Sequence, residues 1–229
     1  MCYNVVGDKV RLKNIKGAKE KVETSKYVLM DYLKYKKKFQ TIFKNDNPIH
    51  IEIGMGKGDF IIGMAKLYPG INFIGIEKFD SVLVKAIEKL EKVEIPNLFL
   101  IKMDATDIVD VFSEEIDTLY LNFSDPWPKN RHEHRRLSSA IFLKRYDLLF
   151  KDKCHIIMKT DNRHLFEYSV ISFWEFGYNV SKLFLDYHKE DREMDIETEY
   201  ERKFSNKGPI YKIEVNKWQN IYTLNLKND

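Results

Sequence analysis

The sequence predicts a doubly wound α/β domain built on a mainly parallel sheet, and three observations predict it. Short apolar runs alternate with amphipathic stretches along most of the chain. A glycine-rich loop, Gly54-Met55-Gly56-Lys57-Gly58, follows the first clear apolar run and opens a helical pattern. Acidic residues recur where successive apolar runs end, at Glu77, Asp104, Asp125 and Asp161. Strands alternating with helices require crossovers, and crossovers give parallel neighbours.

The elements follow in order. Residues 1–26 read as poorly ordered, and 27–44 as a lead-in helix. The run 49–53 (IHIEI) is the first strand, and a helix over 59–67 is stopped by Pro69-Gly70. The second strand, 72–76, ends on Glu77. A helix over 81–92 places Val82, Leu83, Ala86, Ile87 and Leu90 at helical spacing. The third strand, 98–101, ends near Asp104. The fourth, 117–121, runs into Asn122-Phe123-Ser124-Asp125-Pro126-Trp127-Pro128-Lys129, where two prolines end regular structure because neither donates a backbone hydrogen bond. A helix over 137–149, a fifth strand over 154–159 ending at Asp161, and a helix over 163–176 closed by Gly177 come next. Two final strands are expected over 178–186 and 209–215, and alternation at Ile221, Thr223 and Asn225 hints at an extra edge strand.

A chain of 229 residues with 44% hydrophobic content supports one substantial core. The expected division is a basic N-terminal arm with its lead-in helix over 1–44 and a single domain over 45–229. No apolar run approaches the roughly 20 residues that span a bilayer, and the N-terminus has no signal-like apolar centre, so a cytoplasmic protein without membrane attachment is expected. Cys2 and Cys154 stand apart. His132 and His134 are the only close histidine pair, with no further ligands at metal spacing, so neither a disulfide framework nor a metal is expected. Lys9 to Lys44 carries twelve Lys/Arg against Glu20, Glu23 and Asp31, and the remainder is net acidic, since the whole chain is only +3. Such a segment, with Tyr27, Tyr32, Tyr35 and Phe39 among its lysines, reads equally as a footprint for a polyanion or as a solvated lead-in.

The loop G-M-G-K-G is a weak motif alone, being neither the dinucleotide G-x-G-x-x-G nor a nucleoside triphosphate loop. Glu77, 23 residues after Gly54, strengthens it, because an acidic group at the second strand's end can grip ribose hydroxyls. Glu52 just before the loop would repel a pyrophosphate but welcome a sulfonium and an ammonium, which favours S-adenosylmethionine over a nicotinamide dinucleotide. Asp104 can accept from an adenine amine. The bland alternative makes all three ordinary strand-end caps. Asp125 and Asp161 end neighbouring strands, so both can face one crevice. Trp127 either stacks on a base or packs under its loop.

These residues resemble a known family. Glu52-Ile53-Gly54-Met55-Gly56-Lys57-Gly58, the run Ser124 to Lys129 with Arg131-His132 and Arg135-Arg136-Leu137, Lys159-Thr160-Asp161-Asn162 and Thr198-Glu199-Tyr200-Glu201-Arg202-Lys203-Phe204 are similar to the bacterial single-chain tRNA (guanine-N7)-methyltransferases. The resemblance runs from about Arg11 to Val215. It implies the class I methyltransferase fold, a seven-stranded Rossmann-like sheet, with S-adenosylmethionine as cofactor and tRNA as partner. It implies a cofactor site of Glu52, Gly54, Gly56, Gly58, Glu77, Asp104, Ala105 and Asp125, with Asp125 also catalytic. Substrate contacts would come from Lys129, Asp161, Thr198, Glu199, Tyr200 and Glu201, and an RNA-binding segment from Arg131, His132, Glu133, His134, Arg135 and Arg136. A monomer or a homodimer is expected. Two other readings remain open: a non-catalytic RNA-binding protein with this fold, or a methyltransferase acting on something other than RNA. The turn at 206–210 is slightly compact for the family, and residues 1–10 and 216–229 lie outside its pattern.

Overall fold

A computed structural model of the protein describes residues 15–190, 196–204 and 207–218. Its centre is a seven-stranded sheet: β1 (Ile49–Ile53), β2 (Asn72–Glu77), β3 (Leu98–Lys102), β4 (Thr118–Asn122), β5 (Lys153–Thr160), β6 (Asn179–Phe184) and β7 (Tyr211–Trp218). The order across the sheet is β3-β2-β1-β4-β5-β7-β6. The five strands from β3 to β5 pair in parallel, and β7 runs antiparallel to both β5 and β6. The chain winds outward in one direction from β1 to β3 and in the other from β4, so β1 and β4 flank the point where strand order reverses. Open α/β sheets place their ligand crevice at such a point, outside the strands' carboxyl ends.

Strand alternation divides the buried residues between two layers. Ile49, Ile51, Ile53, Leu119, Leu121, Ile156 and Met158 face one core. This layer holds α5 (Ile108–Val111), α6 (Ala140–Tyr146) and α7 (Arg163–Glu175), and contains Val111, Phe142, Leu143, Leu165 and Phe173. Phe73, Leu98, Leu100 and Tyr120 face the other, with Val22, Phe60, Ile61, Leu83 and Ile87 from α1 (Ala18–Thr24), α3 (Asp59–Leu67) and α4 (Asp80–Leu90). Because Ile49, Ile51 and Ile53 point to the first layer, His50 and Glu52 point toward the second. The polar residues of β1 are thereby carried beneath α3.

Most expected elements stand within a residue or two of their places. The lead-in helix over 27–44 does not. Residues Tyr27 to Leu29 instead run beside β3: Leu100 N–H donates to Tyr27 O at 2.8 Å and Leu29 N–H to Leu100 O at 2.9 Å. They cover an edge that would otherwise present unpaired backbone groups. A single 3-10 turn, Tyr32–Tyr35, and the one-turn α2 (Gln40–Phe43) follow, separated by Lys37 at φ 62°. Tertiary bonds override helical propensity here, since the Glu115 carboxylate accepts from Lys37 N–H at 3.0 Å and Phe39 N–H at 3.1 Å. Phe39 is thereby fixed against Phe112, ring centroids 4.6 Å apart. Within the stretch read as poorly ordered, α1 docks on α4 through buried Ala18 and Val22, with Lys21 paired to Glu91 at 2.9 Å. The helix expected over 137–149 is shorter because Ser138 and Ser139 precede it in extended or capping roles, Ser138 Oγ lying 2.6 Å from Ser169 Oγ. Residues 216–218 continue β7. The extra edge strand expected around Ile221 and the tail at 1–10 lie outside the described residues.

Candidate active site

The glycine loop leaves β1 and turns on left-handed backbone. Gly54, Gly56 and Gly58 have φ of 74°, 57° and 78°, a conformation costly for side-chain-bearing residues. The turn is pinned to β2, because Gly54 and Met55 N–H both donate to Ile76 O, at 2.9 and 3.0 Å. Gly58 and Gly56 differ in what a side chain would meet. A Cβ at Gly58 would sit 3.0 Å from the Ala86 Cβ, whereas one at Gly56 meets nothing within 4 Å and would project into open space over the loop. That open space is a cradle for a ligand's backbone approach.

Carboxylates surround it. Glu77 ends β2 and is tied by three backbone amides: Oε1 accepts from Lys78 and Phe79 N–H at 2.8 and 3.1 Å, and Oε2 from Gly56 N–H at 3.1 Å. Burial raises its pKa against these amides, and the nearby charge of Asp125 adds to the rise. Glu52 is fully buried, with Oε1 accepting from Asn122 Nδ2 at 2.8 Å. Its Oε2 has no partner within hydrogen-bond distance among the described residues, although the Ile61 amide lies near enough to favour the charged form. Burial pushes Glu52 up to about 7, while the Asn122 hydrogen bond and the charge of Lys159 pull it down. Asp104 departs from its expected form. Its Oδ1 accepts from Thr106 N–H and Oγ1, at 2.9 and 2.8 Å, and its Oδ2 pairs with Lys78. The Lys78 contact, followed by the Thr106 amide, holds it down at about 2. It caps the short turn Ala105–Asp107, the strand-end capping role that the sequence left open as the alternative. Ala105 begins that turn, half-buried. The donor set fits S-adenosylmethionine: an orphaned, buried carboxylate oxygen beside a loop with room above it suits a cationic ligand.

At the far side of the switch point, β4 and β5 end level with each other. Asn122 is paired with Lys159, and Phe123 N–H donates to Lys159 O at 2.8 Å. Phe123 and Trp127 take positive φ, 50° and 41°, so the chain reverses sharply and leaves Asp125 exposed between them. The loop is held from outside by Arg136, whose guanidinium donates to Pro126 O at 3.2 Å and Trp127 O at 3.1 Å and lies 4.3 Å over the Tyr168 ring. Tyr168 OH in turn donates to Glu133 at 2.9 Å, which gives that acidic interruption of a basic run a structural place. The expected RNA segment is a 3-10 helix, Asn130–Arg135. Lys129, Arg131, His134 and Arg135 are exposed, and the Arg135 guanidinium covers the Trp127 ring at 4.8 Å. His132, edge-on to Trp127, has its pKa lowered by desolvation and by Arg135, Arg131 and Lys129. Trp127 is therefore built into the basic turn.

The last piece is α8 (Glu199–Phe204). Thr198 and Glu201 form a capping box: Glu201 N–H donates to Thr198 Oγ1 at 2.9 Å, and Thr198 N–H to Glu201 Oε2 at 3.3 Å. Tyr200 OH donates to Asp161 Oδ2 at 2.9 Å, and its ring packs between Phe123 and Phe204, centroids 5.2 and 4.3 Å away. Glu199 binds Lys57 of the glycine loop at 2.9 Å, and its carboxyl is held at about 2 by Lys203 and Lys57. Glu201, expected among the substrate contacts, is instead wholly interior, paired with Lys159 at 2.9 Å and with His188 at 2.8 Å. Sequence reasoning placed Thr198 and Glu201 by resemblance alone, although T-x-x-E is a capping-box spacing. It gave no role to Asn122, Lys159, Tyr168 or His188, although Asn122 and Lys159 stand within the motifs it singled out.

The residues 46–213 match a family described as putative methyltransferases. A tRNA (guanine-N(7)-)-methyltransferase of Streptococcus pneumoniae is 49% identical over 209 residues, covering 90% of this chain and 99% of that protein. One from Bacillus licheniformis is 51% identical over 195 residues, covering 84% and 92%. Among solved structures, an antibiotic-related methyltransferase superposes with a TM-score of 0.62 at 16% identity, over 80% of this chain and 94% of that one, which supports the fold. With the family model spanning 46–213 and about half of all positions shared across most of the chain, the chain belongs to the methyltransferase family that includes these bacterial tRNA (guanine-N7)-methyltransferases.

Proposed function

We propose that this protein methylates N7 of a guanine in tRNA, in the variable loop as the family resemblance implies, using S-adenosylmethionine. The observation that carries the reading is the arrangement at the carboxyl ends of neighbouring strands: the glycine loop tied to Glu77, Asp125 close enough for its charge to act on Glu77, Asp161 just beyond β5, and the exposed cations Lys129, Arg131 and Arg135 beside them in sequence. S-adenosylmethionine supplies an electrophilic methyl on a sulfonium.

Guanine N7 bears a lone pair and no proton, so no base has to act on it. The chain's task is to align the base at about 3–3.5 Å from the methyl carbon and to complement the positive charge that passes to the purine. Asp125 and Asp161 are acceptors suited to the N1–H and amine edge of guanine, and their charges stabilise the methylated ring. Lys129, Arg131 and Arg135 suit phosphates, which position RNA without reading sequence. A small-molecule substrate would make no use of that basic turn.

Purified protein incubated with unmodified tRNA and labelled S-adenosylmethionine is expected to yield 7-methylguanosine on nucleoside analysis. Asp125→Ala is expected to lower turnover roughly 100-fold with tRNA binding largely kept. Absence of 7-methylguanosine, or undiminished product from Asp125→Ala, overturns the assignment.

A further inference from the structure

We propose that Lys159 is a positioning residue for the substrate side of the crevice: through the buried carboxylate of Glu201 it fixes α8, and with it the Tyr200 side chain that holds Asp161. This rests on the proposed guanine-N7 reading only for what the positioned residues bind.

Lys159 is the penultimate residue of β5, two residues before Asp161, and is 2% exposed. Its ammonium donates to Glu201 Oε2 at 2.9 Å and to Ile196 O at 3.2 Å, with the rings of Phe60 and Tyr187 at 5.3 and 5.9 Å. Glu201 is fully buried and is hydrogen-bonded to three residues: Lys159, His188 and the Thr198 amide at its carboxylate, and the Thr198 hydroxyl at its own amide. Lysine and glutamate are almost never fully buried without such partners. An ion pair like this contributes little net stability, because desolvation offsets the attraction, and apolar side chains of equal volume commonly do as well. What it adds is geometry: a charge-assisted bond has a short preferred length and direction, and an apolar contact does not.

The geometry is needed at that point. α8 has six residues, too few to be stable alone, and its outer contacts are exposed pairs of small worth, Lys57–Glu199 and Arg202–Asp59, both 2.9 Å. Yet the helix carries Tyr200, whose hydroxyl binds Asp161 and whose ring touches Phe123 two residues before Asp125. A shift of α8 therefore moves both carboxylate-bearing loops on the substrate side. The Glu77 cluster of the cofactor side is held by its own backbone amides.

The test compares wild type with Lys159→Met, with Glu201→Leu, which removes the His188 and Thr198 contacts along with the pair, and with the double variant Lys159→Met/Glu201→Leu, so that the part owed to Lys159 is read from the single variant. The double variant is expected to melt close to wild type and to bind S-adenosylmethionine. Its KM for tRNA is expected to rise roughly 10- to 100-fold, and amides of 199–204 are expected to exchange hydrogen faster. Glu201→Gln, which keeps oxygen and amide in place, is expected to fall between. A wild-type KM for tRNA in the double variant, or unchanged exchange in 199–204, overturns the proposal. If wild type makes no 7-methylguanosine, the guanine reading fails by itself, and the exchange comparison still decides whether Lys159 positions α8.

Discussion

Glu52 lies on the α3-facing side of β1 with one oxygen bonded to Asn122 and the other unpaired, and burial lifts it from 4.5 to about 7. A carboxyl whose folded pKa exceeds its unfolded value keeps its proton in the folded protein and gives it up on unfolding. Between about pH 4.5 and 7 stability therefore falls as pH rises, and below that window the effect is absent. The difference in unfolding free energy between wild type and Glu52→Gln, measured at several pH values, is expected to shift against wild type as pH rises through this window, since the other titrating groups cancel in the difference. A cationic ligand beside Glu52 favours its charged form, so binding of S-adenosylmethionine near neutrality is expected to release a proton, seen as a dependence of calorimetric heat on buffer ionisation enthalpy. That an acid stood before the glycine loop was legible in the sequence. Its unpaired oxygen was not, because Asn122 lies 70 residues away and becomes a neighbour only through β1–β4 pairing.

At the scale of elements, the segment 122–136 separates two kinds of arginine. Arg136 is tied to the Pro126 and Trp127 carbonyls and to the face of Tyr168, so it shapes the Asp125 loop from behind. Arg131 is exposed in the 3-10 helix. Arg136→Ala is expected to destabilise the protein by about 1–3 kcal/mol and to lower turnover while leaving the salt dependence of tRNA binding intact. Arg131→Ala is expected to leave stability within about 0.5 kcal/mol of wild type and to reduce the salt slope by about one phosphate contact. Thermal unfolding together with tRNA titrations at several salt concentrations checks both, and an equal loss of slope in the two variants contradicts the division. In the sequence the two arginines carry one signal, a basic run after D-P-W-P. They are told apart by Tyr168 on α7, which only the packing of that helix against the turn supplies.

Across the whole molecule, the N-terminal basic segment is joined to the sheet as well as charged. Val22 is 1% exposed on α1 beneath α4, and Tyr27 to Leu29 pair with Leu100 at the β3 edge. Val22→Ala is expected to cost about 1–2.5 kcal/mol, and deletion of residues 1–26 to lower the denaturant midpoint further, both read by equilibrium unfolding. An unchanged midpoint on deletion would mean that α1 contributes nothing to the fold. Read as sequence, this segment was dominated by its lysines, which mask two buried positions in a seven-residue helix. By itself the sequence determined the alternation of strands and helices, hence the parallel sheet and its switch point, and it placed acids at strand ends. These are local properties of pattern and turn chemistry, which a single chain states directly. The tertiary structure alone decided which of those charges stay exposed at strand ends and which are buried in partnership, as with Asp125 and Asp161 against Glu201 and Lys159. Burial and pairing arise from residues distant in the chain, and the energy of a charge depends on what surrounds it more than on where it stands in the sequence.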